Sequence, residues 1–226
     1  MSLGQLSPPV PESHKGEPPA TNNYKRGDNN VATVPETTDD ATVLVVDDEK
    51  EVADVYALRL RNEFQTETAY GGDAALETIG DGDEIDIVLL DRRMPGISGD
   101  EVLETIRKRG ADCRVIMITA VDPDFDIIDM AFDDYLCKPI EKDDLVAAIQ
   151  QQLTARRYDD QLTRYLEATS KLALLEAEKT AQTLDANDDV VALKERIEEL
   201  KAEMDDTLSE FDDIERAFKE ISRHPG

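Results

Sequence analysis

The chain has 226 residues, 40% of them hydrophobic, and its 52 acidic against 25 basic side chains give a formal net charge of −27. That length holds one substantial domain and a smaller second element. Charge of this sign disfavours phosphate backbones and anionic lipid surfaces as partners, and its self-repulsion points to a salt-rich cytoplasm, as in halophiles.

Two cysteines, Cys113 and Cys137, lack metal-type spacing with each other or with His14 and His224, which lie near the termini. Reduced thiols in the cytoplasm are the expectation. No apolar run reads as a secretory leader or a membrane span.

Residues 1–40 hold six of the ten prolines and no apolar periodicity. Such a segment buries too little to offset its ordering entropy, so a disordered leader is expected. Thr42–Val46 is then a continuous apolar run, as in a strand buried on both faces. The alternation continues with a helix over Glu49–Arg61, a strand near Phe64–Ala69, a helix over Gly72–Ile79 and a strand at Asp86–Leu90. A helix over Gly99–Arg109, a strand at Arg114–Ile118, a short strand at Tyr135–Leu136 and a helix from about Glu141 follow. Ser98 and Glu101 have capping-box spacing and fix the start of the 99–109 helix. Strands alternating with helices imply a parallel, doubly wound α/β sheet of five strands over residues 41–153.

From Ile140 to His224 there is no Pro or Gly, so residues 154–226 read as helical. The expected interruption is the turn and cap cluster Asp185–Asp189. No breaker precedes Leu184, so the helix leaving the α/β domain should run on into the tail. Leu193, Ile197, Leu200, Met204, Phe211, Ile214, Phe218 and Ile221 step by four and three, with Thr207 at the missing position. That is a heptad seam. A less regular seam of Tyr158, Leu162, Tyr165, Leu166, Leu172 and Leu175 precedes it. The two either face each other in an antiparallel hairpin or pair with another subunit.

In a doubly wound sheet, ligands bind beyond the carboxyl ends of the strands. Asp47 and Asp48 follow the first strand, Asp91 the third, Thr119 the fourth and Lys138 the fifth. Each alone is an ordinary loop residue. Together, crowded carboxylates call for a hard divalent cation, and a hydroxyl and an ammonium beside them suit a phosphoryl group.

Val45–Glu49 (VVDDE), Leu89–Gly96 (LLDRRMPG), Ile118–Ala120 (ITA) and Tyr135–Pro139 (YLCKP) resemble the signature segments of response-regulator receiver domains, over residues 42 to about 153. The resemblance implies a flavodoxin-like, CheY-like fold and a signalling protein rather than an enzyme. It makes Asp91 the phosphoacceptor for a sensor histidine kinase. Mg²⁺ would be held by Asp48 and Asp91, by Asp47 mainly through water, and by the backbone carbonyl of Arg93. Lys138 would meet the phosphoryl oxygens, with a cis bond to Pro139, and Thr119 and Tyr135 would be the switch pair, Tyr135 turning inward after phosphorylation. The tail, with Arg156-Arg-Tyr-Asp159, is similar to the HalX domain found after receivers in haloarchaea.

In one respect the chain departs from that family. Nineteen positions separate Thr119 from Lys138, the stretch contains Pro123, and Phe132 stands where glycine is common. A full fourth helix does not fit there, which puts the usual receiver dimer face in doubt.

Three functions follow. The first is a phosphorylation-controlled signalling protein acting through protein contacts of its tail, as a homodimer or with a partner. The second is a DNA-binding transcription regulator, disfavoured by a tail with 19 acidic and 11 basic residues and no recognisable helix-turn-helix. The third, a dehalogenase-type phosphatase, needs a second aspartate where Arg93 stands.

Overall fold

The computed structural model describes residues 41–80, 85–120 and 123–220, with residues 211–220 described as backbone alone. The expected leader over 1–40 lies outside the described residues. Five parallel strands form one sheet in the order β2-β1-β3-β4-β5: β1 Thr42–Val46, β2 Gln65–Ala69, β3 Ile87–Asp91, β4 Arg114–Thr119 and β5 Asp134–Cys137. The sequence expectation of a five-stranded doubly wound sheet is met. Within β1, alternate residues serve opposite faces. Val43 and Val45 join the layer containing Tyr56, Leu145 and Ile149, while Leu44 and Val46 join the layer containing Val102 and Ile106. Both layers are dry, which explains why β1 and β3 read as unbroken apolar runs. Each fully buried Leu or Ile contributes roughly 1.5–3 kcal/mol.

Helices α1 Lys50–Leu60, α2 Gly72–Thr78 and α3 Gly99–Arg109 cover the sheet. The capping box is present: Glu101 N–H donates to Ser98 Oγ at 3.3 Å, and Ser98 N–H donates to Glu101 Oε2 at 3.0 Å. Gly110, at φ 67°, ends α3 in the left-handed conformation that glycine tolerates. Among the described residues between β4 and β5 stands a single 3-10 helix, Phe125–Asp129, in keeping with the shortened sequence.

The helix after β5, α4 Lys142–Glu178, runs 37 residues. At 1.5 Å per residue that is roughly 55 Å. The expected continuity through residues 154–160 is therefore found, but not as far as Leu184. The chain breaks at Lys179–Thr180, where Thr180 caps the short α5 Ala181–Asp185 by accepting from Thr183 N–H. A threonine that caps a new helix ends the old one without Pro or Gly. Asn187 Oδ1 then accepts from Val190 N–H at 3.1 Å as α6, Asp188–Glu220, begins.

Over the described side chains the two tail seams face each other, since α6 packs along α4; the expected seam positions Phe211, Ile214, Phe218 and Ile221 lie outside them. Gln161 meets Thr207, and Arg157 meets Glu210, so the helices are antiparallel. Ile197, Leu200 and Thr207 are buried as the heptads require, but the α4 seam differs from the expected one. Leu166 is 54% exposed and Ala168 is buried in its stead. In a close hairpin a small residue admits the partner backbone where leucine would hold it off.

Candidate functional site

Strand order reverses direction at β1, whose neighbours β2 and β3 lie on opposite sides, so a crevice opens at the carboxyl ends of β1 and β3. Asp47, one residue past β1, and Asp91, the last residue of β3, meet there and are both buried. Lys138, one residue past β5, joins them. Its Nζ donates to Asp47 Oδ2 at 2.6 Å and to Asp91 Oδ1 at 2.7 Å. Lys138 N–H donates to the Thr119 carbonyl at 2.7 Å, which sets the lysine beside β4, and its bond to Pro139 is cis. Thr119, the last residue of β4, is buried beside this pair of strand ends.

Backbone amides shape the carboxylates further. Glu49 N–H donates to Asp47 Oδ1 at 2.9 Å, and Arg93 N–H donates to Asp91 Oδ2 at 2.8 Å. Burial pushes the Asp91 carboxyl above its ordinary value, against the opposing pull of Lys138 and of the Arg93 N–H. Burial alone would lower the Lys138 ammonium, but the bonds to Asp47 and Asp91 outweigh it and hold it up. The site thus keeps its lysine charged beside a buried carboxylate under desolvation stress.

Asp48 stands apart. Its side chain is exposed, and among the described residues no three His, Cys, Asp or Glu side chains gather into a metal-binding group. Of the expected trio 47, 48 and 91, Asp47 and Asp91 meet at Lys138, and Asp48 lies outside that contact. One ammonium offsets only part of the charge of two buried carboxylates, and the third carboxylate stays in water.

Tyr135, in β5, is buried at 8% exposure, with its ring 5.5 Å from that of Phe132. Its hydroxyl is bonded to Arg92, a residue that sequence reasoning quoted only as part of a motif. The Arg92 side chain is 10% exposed and pairs with Asp100 at 3.1 Å and with Asp126. Nothing local in sequence signals those partners, 8 and 34 positions away. Gly99 was also missed as a site residue. A Cβ there would lie 2.1 Å from the Asp91 carbonyl oxygen, so α3 can start against the loop after β3 only with glycine.

Residues 43–150 match the response regulator receiver domain model, and residues 154–221 match the HalX domain model. A candidate transcriptional regulator of Haloferax volcanii is 42% identical over 161 residues, 71% of this chain. The chain spans only 27% of that relative's length. Among solved structures, response regulator TrrA of Thermotoga maritima, in complex with Mg²⁺ and BeF, is 34% identical. It covers 50% of this chain and 98% of its own, with a TM-score of 0.45. The receiver domain of Francisella response regulator 1452 is 29% identical and covers 50% of this chain and 97% of its own, with a TM-score of 0.47. Among the described residues no helix is long and apolar enough to cross a membrane. With Asp47, Asp91, Thr119 and Lys138 at the strand ends where the sequence motifs put them, the chain belongs to the response-regulator receiver family over residues 43–150 and to the HalX family over residues 154–221.

Proposed function

We propose that the protein accepts a phosphoryl group on Asp91 from a phosphohistidine of a sensor kinase and signals through protein contacts of its helical tail. The observation that carries this reading is the shared ammonium: Lys138 bonds Asp47 and Asp91 at 2.6 and 2.7 Å at the carboxyl ends of the strands. An Asp91 oxygen attacks phosphorus while the bond to the kinase imidazole breaks, and the imidazole leaves. Lys138 moves its hydrogen bonds from the carboxylates to the incoming oxygens, and the Thr119 hydroxyl donates to another. Burial of Asp91 excludes water from the attacking atom.

The donor set fits a hard cation. Asp47 and Asp91 offer carboxylate oxygens against a single ammonium, with Asp48 next in the chain and exposed enough to turn in. Asp47, Asp48, Asp91 and the Arg93 carbonyl are the residues that would hold Mg²⁺, as receiver domains generally do. Bound there, it supplies charge neutralisation at the phosphoryl oxygens. Thr119 and Tyr135 would be the switch pair, with Tyr135 buried and its hydroxyl held by Arg92.

The test is intact-mass analysis of the full chain in high KCl after incubation with acetyl phosphate and Mg²⁺. Wild type should gain one phosphate and Asp91→Asn none. A gain in both would move the acceptor elsewhere. Transcriptional control is a second reading, favoured by the name of the Haloferax relative. A gel shift across salt concentrations, with and without phosphorylation, separates the two, and the acidic tail predicts no shift.

A further inference from the structure

Arg92 follows the acceptor directly and bridges three elements. Its Nε donates to Asp100 Oδ1 at 3.1 Å, in the first turn of α3, and one terminal nitrogen donates to Asp126, in the 3-10 helix that replaces a full fourth helix. The same guanidinium bonds the Tyr135 hydroxyl in β5. Its own backbone is fixed, because the Arg92 carbonyl accepts from Gly99 N–H at 3.0 Å. Five donors in one rigid plane suit an arginine, and no other side chain, to three acceptors at once.

We propose that Arg92 is a positioning residue that pins the 3-10 helix and Tyr135 to the acceptor loop, and that charge gained at Asp91 releases this pin. The proposal goes beyond phosphoacceptance and rests on it only for the trigger. What the pin holds at the surface is a short segment. Residues 125–129 are a single 3-10 turn, closed by Ile127 N–H to Asp124 O and Met130 N–H to Ile127 O at 3.1 Å each. Phe125 and Ile128 stand 85% and 74% exposed, and Ile127, with Met130 just beyond, is the part of the segment that packs on the core. Arg92 adds a charge contact on the Asp126 side of that apolar anchor.

The release follows from what each partner loses. The side chains of Asp100 and Asp126 are 46% and 54% exposed, so both re-enter water at little cost. A phosphoryl group carries nearly two negative charges and three strong acceptors. Placed on the residue adjacent to Arg92, it competes for the guanidinium against carboxylates that solvent already serves. Leaving Asp126 frees the 3-10 helix with its exposed Phe125 and Ile128, and leaving Tyr135 frees the ring. A charge event on one strand end thus reaches the surface where a regulatory contact is read.

The experiment is hydrogen exchange of the full chain in high KCl on wild type, Arg92→Ala, Arg92→Lys and Asp126→Asn, each with and without acetyl phosphate and Mg²⁺. Without the donor, residues 123–132 of Arg92→Ala should exchange roughly tenfold faster than in wild type, with β3 and β4 unchanged. Asp126→Asn alters an exposed side chain, keeps the fold and should show the same local loss. Arg92→Lys keeps the charge but not the fork, and should restore protection only in part. With the donor, wild type should shift toward the Arg92→Ala pattern, and Arg92→Ala should show no further change. Wild-type protection at 123–132 in donor-free Arg92→Ala and Asp126→Asn would overturn the pin. An undiminished response to phosphorylation in Arg92→Ala would overturn the release. Should intact mass show no phosphate on wild type, the acceptor reading and with it the release fail, while the donor-free comparison still judges the pin.

Discussion

Arg156, near the middle of α4, forms an ion pair with Asp86 at the amino end of β3, and each residue is only 5% exposed. The pair lies at the opposite end of the sheet from Asp91. The other oxygen of Asp86 accepts from Thr42 N–H at 2.8 Å, and the guanidinium also reaches Asp112 at 3.1 Å. Nearby, Arg114 of β4 pairs with Asp133 at 2.9 Å and with Asp159 of α4. The root of the tail is thereby bolted to the amino ends of β1, β3 and β4, and α4 leaves the receiver in a fixed direction.

Truncating one partner of this pair should be costly. Arg156→Ala leaves Asp86 buried and without its counter-charge, and should lower stability by about 3–5 kcal/mol. The double variant Asp86→Asn/Arg156→Met removes both charges and should recover most of that loss. Urea unfolding at fixed high KCl measures both. Equal losses in the two variants would mean that packing, not charge, holds the joint.

Arg156 and Arg92 mark where the sequence stopped being informative. Strand runs, the capping box, the missing fourth helix and the four motifs were all legible, because each is set within a few residues by burial period or cap chemistry. Asp47, Asp91, Thr119 and Lys138 were found together because a parallel sheet lines up all its carboxyl ends. The Arg156 partner is 70 positions away and the Asp126 partner of Arg92 is 34 away, and no period or motif encodes such pairs. Arg156, quoted from the sequence only as part of the tail segment, is in fact buried. The outward Asp48 was illegible for a different reason. Motif adjacency places a residue at a strand end but does not say which carboxylates one ammonium contacts.

Gly99 tests how tightly the acceptor loop is held. Gly99→Ala would put a methyl 2.1 Å from the Asp91 carbonyl oxygen, and backbone rather than a flexible side chain must give way. The expected cost is about 1–3 kcal/mol. A displaced acceptor should also slow phosphate uptake from acetyl phosphate, read by intact mass over time. Wild-type uptake in a destabilised variant would separate the loop's geometry from its packing.

Thr207 interrupts the apolar seam of α6 and is buried, its hydroxyl donating to Gln161 Oε1 of α4 at 2.9 Å. A single polar layer in a heptad seam lowers stability and fixes register or partner number. Gln161→Leu/Thr207→Leu should therefore raise the melting temperature and loosen pairing specificity. Light scattering after size exclusion should show more than one oligomeric species. A single species identical to wild type would assign register to Arg157–Glu210 and the surrounding packing instead.

Cys113 gives the alkaline limb of stability a source. Burial beside the start of β4 pushes its thiol up to about 11 from an ordinary 9.0, with the nearby Arg107 pulling the other way. The folded chain thus holds the thiol proton more tightly than the unfolded chain does. The stability so gained is fully present below pH 9 and is lost as pH climbs through about 11. Cys113→Ala removes this dependence and leaves the other titrating groups in place. Urea unfolding from pH 8 to 11 should show wild type losing about 2 kcal/mol relative to Cys113→Ala across that range. A constant difference between the two would mean that the thiol titrates alike folded and unfolded. The same burial leaves only about one thiol in a thousand ionised at pH 8, so Cys113 should resist alkylation until urea exposes it.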